Sequence, residues 1–404
     1  MKPQRILLPL LATLLLSDAT TRGQSAALPS STPDPKEPQP RAIAVNAVND
    51  LLGHFWLGDE RTGHILNTHD GYSNESLRNG RGVLWERGMF YLVLENLQRL
   101  SPSAALQQRL RADWNYTKRV NSPAELQACG EGSGNVAVDD AGWAALMYLA
   151  AYRATGDKEA LDRARGLVNN SFSRWQDAKD GGIWYSDRKD KKSLYQAAIV
   201  LAAIQIHELA PNPGLFDRAT RSYVWMENHL LRDDGLYWCD YGASAPIGQS
   251  RSNRISETSS VVFLGGNMGM GVLHAHFYRL TTEDTYRVRA LRTATALSRR
   301  LATAENVFIN DRDASTEGVF AGDWAREVLS LPGIAARDKA LLRNTAVSIY
   351  TKARTASGYY GASWSGPAEG DQSRWWRTGR KPDRITISSS SVNMIVAAAF
   401  LEAK

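Results

Sequence analysis

The sequence predicts an all-α fold, twelve helices paired as six hairpins in a closed (α/α)6 barrel with irregular loops at one rim. Two observations predict it. Segments 82–100, 141–155, 193–209 and 267–280 are apolar around more than one face, the mark of helices buried on several sides. Each is followed by a short polar break and then by an amphipathic segment rich in Arg and Ala.

The breaks are Ser101-Pro102-Ser103, Gly156-Asp157, 211–214 and 281–284, all residue types that stop one helix and cap the next. The partner helices are expected over 104–114, 158–168, 215–227 and 285–301. The unit of inner helix, turn and outer helix thus recurs at intervals of about 55, 55 and 70 residues. Helical segments near 42–57, 315–331, 338–353 and 388–403 bring the count to twelve. An open solenoid would hold a steadier period. The intervals also contain Gly- and aromatic-rich stretches, Asp180-Gly-Gly-Ile-Trp-Tyr185 and Asp234-Gly-Leu-Tyr-Trp-Cys239.

The N-terminus predicts an export signal over residues 1–23. Lys2 and Arg5 precede an apolar run from Ile6 to Leu16, and small and polar residues follow it. Eleven residues are too few for a spanning helix, which needs ~20. Residues 24–40, rich in Pro and Ser, read as a flexible linker, leaving 41–404 as the folded domain. The expected product is a secreted or periplasmic monomer without a membrane span.

The formal charge of +6 becomes +4 once residues 1–23, with three cations and one anion, are removed. The densest basic group, Arg287, Arg289, Arg292, Arg299 and Arg300, lies on an outer helix and reads as a solvated face, so no nucleic-acid partner is expected. Cys129 and Cys239 are either a disulfide or two thiols. His274 and His276 stand two apart and do not share a helix face, so no metal is expected. Gly265–Gly271 lacks the Lys-Ser/Thr of a phosphate-binding loop, and no Gly-x-Ser-x-Gly elbow occurs. No organic cofactor is expected either.

The chemistry points to Asp139-Asp140, two adjacent carboxylates at the mouth of an apolar helix. By type they suit a helix cap and first turn. Glycoside cleavage is a sharper use, because it needs one carboxyl charged while its partner is protonated. Asp233-Asp234, followed by glycine and aromatics, serves as the control: a turn explains it.

Several motifs in order resemble glycoside hydrolase family 76, which contains endo-α-1,6-mannanases. They are Asp139-Asp140-Ala141-Gly142-Trp143 with its apolar helix, Gly181-Gly182-Ile183-Trp184-Tyr185, Asn267-Met268-Gly269, and the closing Gly361–Pro367 and Ser388–Val392 segments. The resemblance runs from about Asn46 to the C-terminus. It implies an (α/α)6 barrel and a retaining glycoside hydrolase acting on α-linked mannan, with Asp139 as nucleophile and Asp140 as acid/base. It further implies that Trp143, Trp184, Tyr185, Asn267 and Trp364 contact the polysaccharide. The family's Tyr and Gln flanking the motif Asn are Gly266 and Met268 here, and its Lys-Asn-Ala is Tyr195-Gln196-Ala197, so the glycan or linkage can differ.

Each residue has a plainer reading. The aromatics of the loops, with Tyr237, Trp238, Trp375 and Trp376, could be core, and Asn267 could be a cap. Glu86, an acid in an apolar context, is expected to form a buried salt bridge with an arginine. Two rival functions stand beside the main one. One is another (α/α)6 sugar enzyme, a uronyl hydrolase or an epimerase, the latter requiring rim histidines from among residues such as His54, His64 and His69. The other is a glycan-binding protein without turnover.

Overall fold

The computed structural model describes residues 39–66, 84–121, 137–187, 189, 191–242, 262–309, 316–368 and 384–402. The export signal, nearly all of the linker, His69, Cys129, Trp375 and Trp376 lie outside the described residues.

Twelve helices are present among the described residues. They are α1 (Pro40–Phe55), α2 (Leu84–Leu100), α3 (Ala104–Val120), α4 (Val138–Thr155), α5 (Lys158–Trp175), α6 (Ala197–Leu209), α7 (Pro213–Leu230), α8 (Leu264–Thr281), α9 (Asp284–Arg300), α10 (Ala321–Asp323), α11 (Ala336–Lys352) and α12 (Ile385–Ala399). A π-turn, Trp324–Val328, continues α10. The breaks do what their residue types predict. Ser103, Asp157 and Asn212 accept hydrogen bonds from the backbone of the first turns of α3, α5 and α7, and Gly156 ends α4 in the left-handed conformation.

The even-numbered helices form the inner ring. α2 packs on α4, α4 on α6, α6 on α8, α8 on the π-turn after α10, α10 on α12, and α12 back on α2. That last contact closes the barrel. Five hairpins are consecutive in sequence, but the sixth joins the two ends of the chain, α12 packing against α1. The inner helices match their apolar sequences: in α6 every residue from Ala197 to Ile206 is buried, and in α12 every residue is. Close approach is built in at Gly142, where a Cβ would stand 2.6 Å from that of Ala198 on α6.

A smaller repeat appears in the connections from outer to inner helices. After α5, α7, α9 and α11 the chain makes a short hairpin, bridged at Gln176–Ile183, Leu231–Tyr237, Ala302–Phe308 and Arg354–Tyr360. Each tip takes a left-handed residue, Gly181, Gly235, Asn306 and Gly358, which is why Gly or Asn stands there. In three of the four, a polar side chain at the start of the next inner helix accepts the hairpin's backbone N–H. Gln196 takes Ile183 (3.0 Å), Asn267 takes Tyr237 (2.8 Å) and Ser388 takes Tyr360 (3.0 Å). These hairpins lead to the N-terminal ends of the inner helices and so define one rim.

The opposite end of the barrel is closed by ion pairs. Glu95 accepts from Arg153 (2.9 Å) and lies 3.6 Å from Arg99, Arg153 also reaches Gln205 (3.1 Å), and Arg279 joins Glu208 (2.7 Å). Beside Glu86, which is half-buried, Arg87 forms a wholly buried ion pair with Asp113 (2.6 Å).

Candidate active site

The Asp139-Asp140 pair occupies the first turn of α4, half-buried, while Val138 and all residues from Ala141 to Ala151 are fully buried. The hairpin after α5 holds this helix start in place. The Val138 N–H donates to the Tyr185 carbonyl (2.8 Å), and the Tyr185 N–H donates in turn to the Lys191 carbonyl (2.9 Å). Gly182 sits where a Cβ would meet the Trp225 ring at 2.5 Å, so the double glycine is a packing requirement as well as a turn.

Burial pushes the Asp140 carboxyl up to about 6, against a partial opposing effect from the Ala137 N–H, which its Oδ2 accepts at 3.4 Å. Among the described residues no cation counters that burial. The Tyr185 phenol is likewise held well above its usual value, by burial and then by the charges of Asp139 and Asp140. Its ring therefore lies within electrostatic reach of both. Lys191 caps that ring (Nζ 4.1 Å from the centroid) and reaches Asp240 at 3.4 Å across the two-stranded ladder of β1 (Lys191–Ser193) and β2 (Asp240–Gly242). Tyr195 continues the aromatic wall, 6.0 Å from Tyr185 and 4.8 Å from Phe263. This carboxyl pair beside half-exposed rings offers an acid, a charge and apolar surface for a sugar face.

The other residues expected at the site divide. Trp184 follows the alternation of an extended chain and lies on the other side from Tyr185, under the Lys192 ammonium (4.6 Å), which is itself bound to Asp177 and Asp180. Asn267 is fully buried; its amide nitrogen donates to the carbonyls of Tyr237 and Phe263, and its oxygen accepts from Tyr237. Trp143 is 1% exposed and packs 5.1 Å from Phe320. Trp364 is equally buried, with its indole N–H on Ser391 (2.9 Å). Asn267, Trp143 and Trp364 are thus packed within the barrel wall, whereas Trp184 and Tyr185 keep partly open faces. Sequence reasoning missed Lys191 and Asp240, whose only signal was position beside an aromatic loop, whereas Tyr195 stands where the family's Lys-Asn-Ala was expected to meet the glycan.

The control pair behaves as a turn. Asp234 is bound by Arg232 (3.1 and 2.9 Å) and the Leu236 N–H, and these outweigh burial to hold its carboxyl below the usual range. His54 and His64 are occupied by stacking on Tyr359 and Tyr116. Among the described residues no His, Cys, Asp and Glu group could hold a metal, and no helix is long and apolar enough to cross a membrane. Cys239 is buried.

The sequence profile of glycosyl hydrolase family 76 matches residues 41–400. No curated relative matches the chain. In fold it is similar to an α-1,6-mannanase of Salegentibacter sp. HEL1_6, solved with α-1,6-mannotetrose as an inactive variant lacking two consecutive aspartates (TM-score 0.71, 16% identity, 90% of this chain and 99% of that one). A family 76 glycoside hydrolase from a bovine Bacteroides thetaiotaomicron strain gives 0.71 and 16%, over 90% of this chain and 78% of that one. An unsaturated glucuronyl hydrolase specific for heparin gives 0.61 and 14%, over 90% and 97%.

Proposed function

The chain belongs to glycosyl hydrolase family 76, and from that premise we propose that it is an exported endo-acting hydrolase of α-1,6-linked mannan that retains anomeric configuration. The observation that carries the reading is the pair itself: Asp140 holds a proton to about pH 6 beside Asp139 at the mouth of the barrel. The inactive variant of the Salegentibacter enzyme, which lacks two consecutive aspartates, supports the same assignment.

In this reading Asp139 attacks the anomeric carbon. As that bond forms, the glycosidic C–O bond breaks, and Asp140 gives its proton to the departing oxygen. Asp140, now a carboxylate, then takes a proton from a water. The water oxygen displaces Asp139 from the anomeric carbon, releasing the sugar and restoring both groups. Retention needs the carboxyls ~5–5.5 Å apart, a separation within reach of neighbouring side chains in one helical turn. The helix N-terminus favours the ionised nucleophile, and apolar surroundings favour the protonated acid. Tyr185 and Tyr195 provide faces on which pyranose rings stack.

The test is reducing-sugar release from α-mannan and its debranched α-1,6 backbone, with wild type beside Asp139→Asn and Asp140→Asn. Cleavage by wild type alone, with both variants folded, supports the proposal. Binding without release would favour a glycan-binding protein, and no release from either glycan would remove mannanase activity.

A further inference from the structure

The basic helix and the second aspartate pair, two features the hydrolase reading leaves unused, meet in one place. The outward stripe of α9 and the turn after α7 enclose an open groove of about 700 Å³. Val288 and Leu291 line it with apolar surface, Val288 being 52% exposed, and Arg292, Arg299 and Arg300 supply the charge.

The arginines of α9 sort by position. Arg287 and Arg289, outside the groove, are each paired, with Asp284 (2.6 Å) and Glu227 (3.1 Å). Arg300 leans on Asp234 (3.7 Å), a carboxylate already bound by Arg232. Arg292 and Arg299, both exposed and both in the groove, make no ion pair among the described residues. They stand seven residues apart, about 10.5 Å along one helix face. Two unpaired guanidinium groups at that spacing, over apolar surface, match oxyanions carried on a saccharide chain: the planar fork binds phosphate or carboxylate oxygens in pairs, and the Val and Leu side chains meet sugar C–H faces.

One end of the groove lies on the same side of the barrel as the aspartate pair. Arg299 and Arg300 end α9 where the next hairpin begins, and Asp234 sits in the hairpin whose continuation, Trp238 to Asp240, enters β2 beside Lys191 and Tyr185. We propose that this groove is a second saccharide site, one that anchors a phosphate- or carboxylate-bearing part of the polysaccharide while the neutral backbone is cut at Asp139-Asp140. The role as an anchor rests on the hydrolase reading; the binding does not.

The experiment is affinity electrophoresis of the full chain carrying Asp140→Asn, which blocks turnover. The gels contain phosphate-bearing mannan, the same mannan after dephosphorylation, or a uronate-bearing oligosaccharide conjugate. The groove variant adds Arg292→Gln and Arg299→Gln; a control adds Arg165→Gln and Arg287→Gln, the same charge loss elsewhere. The expected result is at least tenfold tighter retention by one of the acidic polymers than by neutral mannan, weakened by salt. The groove variant loses at least fivefold of it and the control does not; which polymer responds separates phosphate from carboxylate. Equal retention by acidic and neutral polymers overturns the proposal, as does equal loss in both variants. Groove-dependent binding to anionic phospholipid vesicles, without binding to either acidic polymer, also overturns it. In the Asp140-intact background the groove variant should cleave a short neutral α-1,6-mannooligosaccharide at the wild-type rate. If no variant or wild type cleaves it, the hydrolase reading fails while the binding result stands.

Discussion

Two Asp-Asp dipeptides stand on the same barrel and have opposite electrostatics. Asp233-Asp234 closes a turn, and Asp234 is met by Arg232, Arg300 and a backbone N–H, so its carboxyl stays ionised below the ordinary range. Asp139-Asp140 opens a buried helix, and burial, with no countering cation among the described residues, moves Asp140 up to about 6. A third environment separates burial from pairing. Glu95, at the far end of the barrel, is nearly fully buried, yet Arg153 and Arg99 overcome the desolvation and lower its pKa. Burial keeps a proton on a carboxyl only where it outweighs the partners that favour the charge.

The largest expected effect breaks the comparison at its functional end. Asp139→Asn and Asp140→Asn should each lower kcat/KM on α-1,6-mannan by roughly 10²–10⁴-fold with an unchanged far-UV circular dichroism spectrum, whereas Asp233→Asn should leave the rate within twofold. Equal losses at both pairs would show that dipeptide chemistry, not environment, decides.

Next in size is the far end. Glu95→Gln leaves Arg153 and Arg99 without their shared carboxylate and should cost about 3 kcal/mol in urea unfolding, with activity per folded molecule retained. A neutral result would mean that solvent reaches the cluster and supports those charges.

The rim predicts the reverse sign. The folded pKa of Asp140 lies above its unfolded value, so the folded state binds the extra proton between about pH 4 and 6. Stability is lost as pH rises through that window, and the loss is complete above the folded pKa. Asp140→Asn should therefore stabilise by roughly 1–3 kcal/mol at pH 8 and by little at pH 4, seen as a rise in Tm at the higher pH only. The smallest effect sharpens the control: Asp234→Asn should destabilise by about 1 kcal/mol at neutral pH, since Arg232 and the Leu236 N–H keep a weaker acceptor.

Much of the fold was legible because its signals are local. Helices buried on all sides have apolar residues on all sides, and Ser103, Asp157 and Asn212 announce the next helix within a turn of it. The short hairpins were visible only as glycine- and aromatic-rich stretches. Their docking depends on partners as far as 30 residues away, as with Asn267 and the Tyr237 backbone. The burial of Asn267, Trp143 and Trp364 was not legible for a related reason: an aromatic or amide beside glycine is written the same way whether the glycine lets it lie open or lets a neighbour press against it. The aspartate pair was legible as a pair, but the burial that raises the Asp140 carboxyl is decided only by three-dimensional packing.

The measurement that tests this account most directly is the titration of Asp140 by ¹³C NMR on protein labelled at the aspartate side-chain carboxyls, with the resonance assigned by its loss in Asp140→Asn. The account predicts a midpoint near 6. A midpoint at or below 4, like that of an arginine-bound carboxylate, would contradict it and leave the barrel without its acid.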